Sequence, residues 1–277
     1  DHRDLHSFPT RRSSDLALAA LGIAGCVTPG EGPQPNRIST EQEIEFGNQM
    51  AAEIEKEDKA LANPAIQKYI SDMGQRLAKQ AARQDVPYAF TVIDNPEVVN
   101  AFAIPGGRMY IYTGLMRMCE NEAQLASVMA HEIAHVAAHH HGETITRQMN
   151  AELIQSILLG NSNSELIRIG AQIAGASRAS WFSRAQEREA DKLGMDYLFR
   201  AGYKPEAMVD FMQKLAQYEG SQGGAQPGVM KLFASHPATT ERIANLNTLM
   251  QQYPIDLRNA NQNYFDRYKA NILDKLK

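Results

Sequence analysis

The sequence predicts an α+β fold that is predominantly helical, with one small β-sheet beside a central helix. Three observations support this fold class. Apolar residues recur at helical spacing through most of the chain after residue 40, short runs of strand-forming residues lie between 88 and 112, and a His-Glu-x-x-His motif lies within a strongly helical segment. With 277 residues, of which 43% are hydrophobic and 22% charged, the chain can bury a sizeable core.

Two helices are predicted ahead of the sheet. Thr40 is a suitable cap for the first, because acidic residues fill the next turn and apolar residues then recur at helical spacing to about Lys59. Pro64 is favoured at the first position of the second helix, in which Ile66 and Ile70 share one face. Strands are predicted at 88–93, 100–104 and 108–112, and the last two flank the turn Pro105-Gly106-Gly107.

The rest of the chain is predicted to be mostly helical. Asn121 caps a helix that reaches about His140, and Gly142 is its stop signal. Later helices are expected at 184–200 after Ser183, at about 205–218 from Pro205 and at about 239–251 after Pro237. Apolar segments at 153–159 and 166–176, a glycine-rich loop at 220–228 and an amphipathic tail from Asn261 complete the chain.

The first 26 residues do not belong to the predicted domain. Residues 1–15 mix acidic with basic residues and have no initiator Met, so we expect them to be foreign or mis-assembled sequence. Residues 16–26 are a short apolar run ending in Cys26, and they resemble the end of a bacterial lipoprotein signal peptide, in which this Cys carries the lipid. The alternative is a chance cysteine after an apolar tail. In bacterial lipoproteins an Asp after the lipidated Cys typically keeps the protein at the inner membrane. Because Val27 stands at that position, the resemblance implies sorting to the outer membrane.

Residues 27–39 are rich in proline and glycine and predict a flexible tether between an anchor and the folded domain. The domain itself is expected at 40–277, with its motifs concentrated in 95–250. The net charge is −4, and Lys and Arg form no basic block or stripe, so we expect no nucleic-acid partner.

The run His131-Glu132-Ile133-Ala134-His135 predicts a metal site with a general base. Residues four apart on a helix share one face and are separated by about 6 Å along the axis, so His131 and His135 can bind one Zn²⁺. Glu132 is placed to reach a water beside the metal. The alternative is a chance match on an amphipathic helix, but burying these groups without a metal would be costly.

A catalytic zinc needs a third protein ligand. The candidate carboxylates are Glu143, Glu152, Glu165, Glu187 and Glu189. Glu187 is favoured because Asp191 lies four residues on, on the same helix face, and could accept a hydrogen bond from a zinc-bound histidine. Ala190 is small enough for close helix packing, and Glu189 would face away. The alternative for these charges is a solvated helix face.

Four motifs together resemble the HtpX and CAAX prenyl protease family of zinc metallopeptidases, and in particular its soluble periplasmic lipoprotein branch. They are residues 100–115, 131–135, 187–191 and Ser235-His236-Pro237 followed by Arg242. The resemblance implies a zincin-like metallopeptidase domain with one zinc ion per chain. It also implies His131, His135 and Glu187 as ligands and Glu132 as the base.

The resemblance gives the first motif a role as well. In the family an edge strand beside the active-site helix can pair with an extended substrate. Here the candidate strand is formed by Arg108, Met109, Tyr110, Ile111 and Tyr112. The alternative is an ordinary hairpin without contact to substrate.

The loop histidine, His236, is expected near the metal. It could stabilise the oxyanion, occupy the open position of the zinc in a latent enzyme, or simply cap a helix. Arg242, one turn into the next helix, is expected to pair with a carboxylate such as Asp191 or to help hold the loop. His139, His140 and His141 fall in the predicted last turn of the motif helix, and we expect all three to be exposed.

These features favour a zinc-dependent endopeptidase that acts on envelope proteins from the periplasm, lipid-anchored at Cys26 to the outer membrane of a Gram-negative bacterium. Its expected role is quality control of misfolded or outer-membrane proteins. The alternative is a zinc-stabilised chaperone or assembly factor with residual or latent protease activity. An aminopeptidase would need a group to bind the free amine, and no clear motif supplies one.

Overall fold

The computed structural model describes residues 36, 38–149, 151–159, 161, 182–221, 232 and 236–276. The predictions for Cys26, Glu165, the apolar segment 166–176 and most of the glycine-rich loop lie outside the described residues. No helix in the described part of the chain is long and apolar enough to cross a membrane.

Helix α1 (Thr40–Glu57) begins at a different cap from the predicted one. Ser39, not Thr40, caps it, because the Ser39 hydroxyl accepts from the Gln42 backbone N–H while the Gln42 side chain accepts from the Ser39 N–H. Ile38, which the sequence assigns to the tether, is buried at 6% exposure and packs in an apolar cluster with residues of the folded domain. Helix α2 (Pro64–Ala78) begins at the predicted proline and is capped by Asn63.

The three strands are β1 (Ala89–Ile93), β2 (Ala101–Ala103) and β3 (Arg108–Tyr112), in the order β1–β3–β2. β3 is parallel to β1 and antiparallel to β2. The 3₁₀ turn Pro105–Gly107 joins β2 to β3. Because β3 is hydrogen-bonded on both sides, the prediction that Arg108–Tyr112 is an edge strand is wrong.

Short helix α3 (Thr113–Met118) leads to α4 (Glu122–Ala137), which carries the motif and is buried along almost its whole length. Helix α4 ends before the predicted His140. His139 takes the left-handed conformation, with φ 60°, and this turn redirects the chain into α5 (His140–Gln148). Helix α6 (Ala151–Leu158) follows.

The C-terminal helices surround α4. Helix α7 (Arg184–Arg200) has the predicted bounds, and Ser183 caps it together with Gln186. The remaining elements are α8 (Glu206–Ser221), α9 (Thr240–Met250), α10 (Ile255–Ala260), α11 (Phe265–Tyr268) and a π-helical turn, Lys269–Leu273.

Helices α4 and α7 pack closely because a glycine lies between them. A Cβ atom on Gly194 would come within 3.0 Å of the His131 Cα and N atoms and 3.1 Å of the Ala130 carbonyl carbon. Ala190, one turn earlier on α7, is fully buried as well. The short side chains therefore let the backbone of α7 approach the motif itself.

The first turn of α4 is tied to three other parts of the chain through Glu122. This carboxylate is fully buried and accepts hydrogen bonds from the Tyr69 hydroxyl, from the Tyr203 hydroxyl at 2.6 Å, from Arg76 at 3.0 Å and from Arg267 at 2.6 Å. A buried carboxylate is costly unless it is paired, so these contacts secure the start of the motif helix.

We expect Glu122→Ala to lower the free energy of unfolding by about 3 kcal/mol or more, because it leaves two arginines and two tyrosines without their buried acceptor. Urea denaturation followed by circular dichroism measures the loss. Glu120→Ala is the matched control, since Glu120 pairs with Lys214 at 2.7 Å but has a 65% exposed side chain. It should cost less than about 1 kcal/mol; equal losses for the two variants would contradict the assignment.

Candidate metal centre

Four buried side chains from three parts of the chain converge on one point. His131 and His135 come from α4, Glu187 from α7 and His236 from the segment before α9. Each offers one ligand atom, and these four atoms lie within 4.8 Å of one another. The helical spacing of the motif places the two α4 histidines on one face, and the close packing of α7 brings Glu187 opposite them.

Five of the six separations between these atoms are close to those around a tetrahedral ion. His131 Nε2 lies 3.1 Å from His135 Nε2 and 3.3 Å from His236 Nδ1. The Glu187 oxygens lie 3.4 Å from His131 Nε2, 3.6 Å from His135 Nε2 and 2.9 Å from His236 Nδ1. Ligands held about 2.0–2.1 Å from a zinc ion at tetrahedral angles are about 3.3 Å apart. The donor set of imidazoles and a carboxylate also suits zinc.

Asp191 and Arg242 brace this group on the α7 side. Asp191 Oδ1 lies 3.1 Å from His131 Nδ1, the nitrogen that points away from the other ligand atoms. Arg242 donates to both Asp191 oxygens, at 2.6 and 2.8 Å, and lies 2.9 Å from Glu187 Oε2. One buried guanidinium therefore compensates two buried carboxylates in a fixed geometry.

The charges of the group follow from these contacts. Burial disfavours the charged form of Glu187, but the neighbouring His236 and Arg242 outweigh burial and hold the pKa of this carboxyl well below its usual range. Burial likewise opposes a charge on His131, yet hydrogen bonds to Asp191 and Glu187 raise the pKa of His131 to about 9. The cluster thus favours a positive charge at the position where the ligand atoms meet.

Glu132 lies between the metal-site histidines and the edge of the sheet. Its Oε2 accepts a hydrogen bond from the Ala103 backbone N–H at 3.1 Å. Its Oε1 is buried and accepts no hydrogen bond from the described residues, although His236 Nε2 lies 3.3 Å away. One oxygen is therefore held in place while the other is left to act as a base.

His236 contacts both the ligand group and the base. Its Nδ1 faces Glu187 and His131, and its Nε2 faces Glu132. The imidazole is 5% exposed. The structure therefore brings His236 to the metal centre, beside two of the other ligand atoms and the candidate base.

The prediction that His139, His140 and His141 are exposed is wrong for two of them. His140 and His141 are each 1% exposed, whereas the His139 side chain is 42% exposed and lies 3.5 Å from Glu43. The prediction assumed one continuous helix. The left-handed turn at His139 ends that helix and directs the next two imidazoles inward.

The inward histidines contact the site. His140 Nδ1 lies 2.9 Å from His135 Nδ1. His141 Nε2 donates to the Ala103 carbonyl at 3.0 Å, so His141 and Glu132 together hold the outward-facing backbone groups of Ala103. The phenyl ring of Phe182, which the sequence did not single out, stacks on His135 with ring centroids 3.8 Å apart. No local pattern distinguishes Phe182, because only the fold brings it there.

Three of the other candidate carboxylates lie among the described residues, and none of the three joins the ligand group. Glu143 accepts from Gln186 at 2.9 Å, Glu152 is exposed, and Glu189 points outward with a 59% exposed side chain. The predicted substrate strand also lies away from the metal. Arg108 contacts Asn48, Tyr110 and Tyr112 donate to Glu55 and Asp58 of the α1 segment, and Met109 and Ile111 are buried in the core.

An apolar cavity of about 40 Å³ opens beside Glu132 and His131. Helix α4 contributes Val128 to its wall, and α8 contributes Met208, Phe211, Met212 and Leu215. Leu232 and His236 close it from the other side. The cavity provides apolar surface directly next to the candidate base.

Comparison with known proteins identifies the protein family that the chain matches. The model of peptidase family M48 matches residues 64–250. The chain is 31% identical to the beta-barrel assembly-enhancing protease of Escherichia coli O157:H7 over 243 residues, which are 84% of this chain and 49% of that protein. It is 28% identical to the mitochondrial metalloendopeptidase OMA1 of Saccharomyces cerevisiae over 163 residues, 58% of this chain and 47% of the relative. The chain spans about half the length of the curated relatives it matches.

We expect the burial of His141 to make stability depend on pH. Burial lowers the pKa of His141 from 6.5 to about 3, so between these values the unfolded chain binds a proton that the folded chain does not. Stability is therefore complete above pH 6.5 and is lost as pH falls. From pH 7 to 5 the wild type should lose about 2 kcal/mol more than His141→Gln, which can keep a donor toward Ala103.

Urea titrations of both proteins in EDTA, at pH 7 and pH 5, provide the measurement. Many carboxylates also titrate in this range, but they are common to the two proteins and cancel in the difference. Identical pH dependence of the wild type and His141→Gln would show that His141 is not a buried neutral imidazole.

Proposed function

The chain belongs to peptidase family M48, whose members use zinc, and from this premise we propose that it is a zinc-dependent endopeptidase. The observation that carries the proposal is the convergence of His131, His135 and Glu187 beside the buried carboxylate of Glu132. Three ligands and an adjacent base are the minimum set for metal-assisted hydrolysis of a peptide bond.

Each residue has a defined task in this proposal. His131, His135 and Glu187 hold the ion, and Asp191 and Arg242 orient His131 and Glu187. Zinc, when bound, lowers the pKa of a water to about 7 and polarises the scissile carbonyl. Glu132 takes the proton from the attacking water at Oε1, while the Ala103 N–H steadies Oε2. As the C–N bond breaks, Glu132 delivers that proton to the leaving amine.

The edge strand nearest the base is β2, and we assign substrate pairing to it in place of the predicted β3. The even-numbered residues between 100 and 104 hydrogen-bond to β3. The Tyr112 N–H donates to the Asn100 carbonyl, and the Ile104 N–H donates to the Arg108 carbonyl. The backbone groups of Ala101 and Ala103 therefore point to the outer edge, toward α4. Those of Ala103 bond to Glu132 and His141, so we assign the pairing to Ala101, from which an extended peptide would pass beside Glu132.

The apolar cavity beside Glu132 indicates which kind of substrate side chain would bind next to the base. Its walls of methionine, leucine and phenylalanine side chains suit a small aliphatic side chain next to the scissile bond. Such residues are buried in folded proteins and exposed in misfolded ones, which agrees with a role in quality control.

The location is proposed from the sequence and the relatives together. We place the protein in the periplasm of a Gram-negative bacterium, anchored to the outer membrane by a lipid on Cys26. The name of the beta-barrel assembly-enhancing protease supports substrates among outer-membrane proteins. These finer assignments rest on the Cys26 segment and on that likeness.

The second candidate function is a zinc-stabilised chaperone or assembly factor with latent protease activity. The position of His236 favours latency, because its Nδ1 lies 3.3 Å from His131 Nε2 and 2.9 Å from Glu187 Oε1, where it could bind the ion in place of water. We therefore propose that His236 blocks the open position of the metal site in a latent enzyme. The competing role is stabilisation of the oxyanion.

We expect Glu132→Gln to reduce casein hydrolysis by about 100-fold or more at equal zinc content, because the amide cannot take the proton. Fluorescent casein measures the rate, and atomic absorption measures the zinc. Cleavage sites mapped by mass spectrometry in the wild-type digest should have an apolar residue on one side of the scissile bond. Undiminished hydrolysis by Glu132→Gln would exclude Glu132 as the base, whereas absence of hydrolysis by the zinc-loaded wild type would favour the chaperone.

We expect His236→Ala to raise casein hydrolysis several-fold, because it frees the fourth position while the three ligands remain. His139→Ala is the control, since it removes a partly exposed imidazole from the neighbouring turn. The same rate and zinc assays apply. A loss of activity with zinc retained would instead assign His236 to the oxyanion.

A further inference from the structure

The two histidines of the motif have different partners at the nitrogen that faces away from the ligand group. His131 Nδ1 lies 3.1 Å from the carboxylate of Asp191. His135 Nδ1 lies 2.9 Å from another imidazole nitrogen, Nδ1 of His140. Both rings of this second pair are buried, His135 at 0% and His140 at 1% exposure. A hydrogen bond between two imidazoles requires one donor and one acceptor, so the tautomers of the pair are linked.

The direction of this hydrogen bond follows from the proposed ligand role of His135. If Nε2 of His135 gives its lone pair to the ion, the ring proton is on Nδ1, which donates. Nδ1 of His140 must then accept, which places the proton of His140 on Nε2. That nitrogen lies 3.4 Å from Glu189 Oε2, a carboxylate that can only accept. Both hydrogen bonds between Glu189 and His135 therefore have a fixed direction. His135 donates to His140, and His140 donates to Glu189.

We propose that His140 is a positioning residue that sets the tautomer and ring orientation of His135, and that Glu189 supports His140 from the protein surface. The inference rests on the proposed zinc site and adds to it a contact that the ligand set does not include. Partners of this kind typically change metal affinity by about 10- to 100-fold when they are removed.

The surroundings hold the pair in one arrangement. Phe182 stacks on His135 with centroids 3.8 Å apart and lies 6.0 Å from the His140 ring. His140 begins α5 directly after the left-handed His139, so the turn that ends α4 also aims this imidazole at the site. Glu189 lies two residues after Glu187 on α7, so one helix supplies both a ligand and the outer support. Its side chain is 59% exposed, which makes this outer link the weaker one.

Two substitutions at His140 separate its two nitrogens. The Oδ1 atom of asparagine can occupy the place of imidazole Nδ1 and accept from His135. The Nε2 atom of glutamine can occupy the place of imidazole Nε2 and donate to Glu189, but it leaves His135 without an acceptor. His140→Asn and His140→Gln therefore remove the same ring while keeping opposite halves of the hydrogen-bond chain.

We expect zinc affinity, measured by competition with a chromophoric chelator, to fall by about 10- to 100-fold in His140→Gln and by less than about 3-fold in His140→Asn. His139→Asn is the control for a nearby imidazole, and asparagine tolerates its left-handed backbone. Thermal unfolding of the metal-free variants checks that each one folds. Equal affinities for the two His140 variants, whether high or low, would overturn the positioning role.

A second measurement uses the unmodified protein. In the zinc-loaded wild type, two-bond ¹H–¹⁵N correlations should show His140 neutral, with its proton on Nε2. A proton on Nδ1 of His140 would overturn the proposed polarity. Failure of the wild type to bind zinc would count against the proposed function itself, whereas tight binding without a difference between the His140 variants would count only against this inference.

Discussion

Close packing of α4 against α7 is the constraint on which the rest of the site depends. The two histidines of α4 can form only half of a tetrahedral site, and the missing carboxylate must come from another element. Gly194 and Ala190 let α7 come close enough for Glu187 to lie 3.4 Å from His131 and 3.6 Å from His135. A larger side chain at either position would separate the helices and move the carboxylate away from the histidines.

This packing buries charge, and the surrounding residues compensate it. Glu187 and Asp191 would be strongly destabilising in the interior without a partner, but Arg242 contacts both of them. Because α7 supplies the carboxylates and α9 the arginine, the segment that carries His236 is held where α9 begins. The position of His236 is therefore coupled to the same ion pairs that hold Glu187 and Asp191.

Much of the fold and part of the site could be predicted from local pattern. The capping residues Asn63, Asn121 and Ser183 begin the helices that the sequence indicates, because a capping side chain satisfies backbone groups within a few residues. The errors occur where the chain changes direction. His140 and His141 are buried because a single left-handed residue, His139, ends α4, and residue types alone do not determine that turn. The edge-strand error has a similar origin, since three short strands can pair in several orders.

The sequence by itself determined the spacing of the motif and hence the common face of His131 and His135, because helical periodicity is a property of local backbone geometry. It also indicated that Glu187 and Asp191 belong to one helix face, for the same reason. Only the tertiary structure decided that β3 is the central strand and β2 an edge strand, that His236 lies beside His131 and Glu187, and that His140 contacts His135. Those contacts join residues far apart in the chain, so they depend on how the helices and the sheet pack rather than on any pattern within one element.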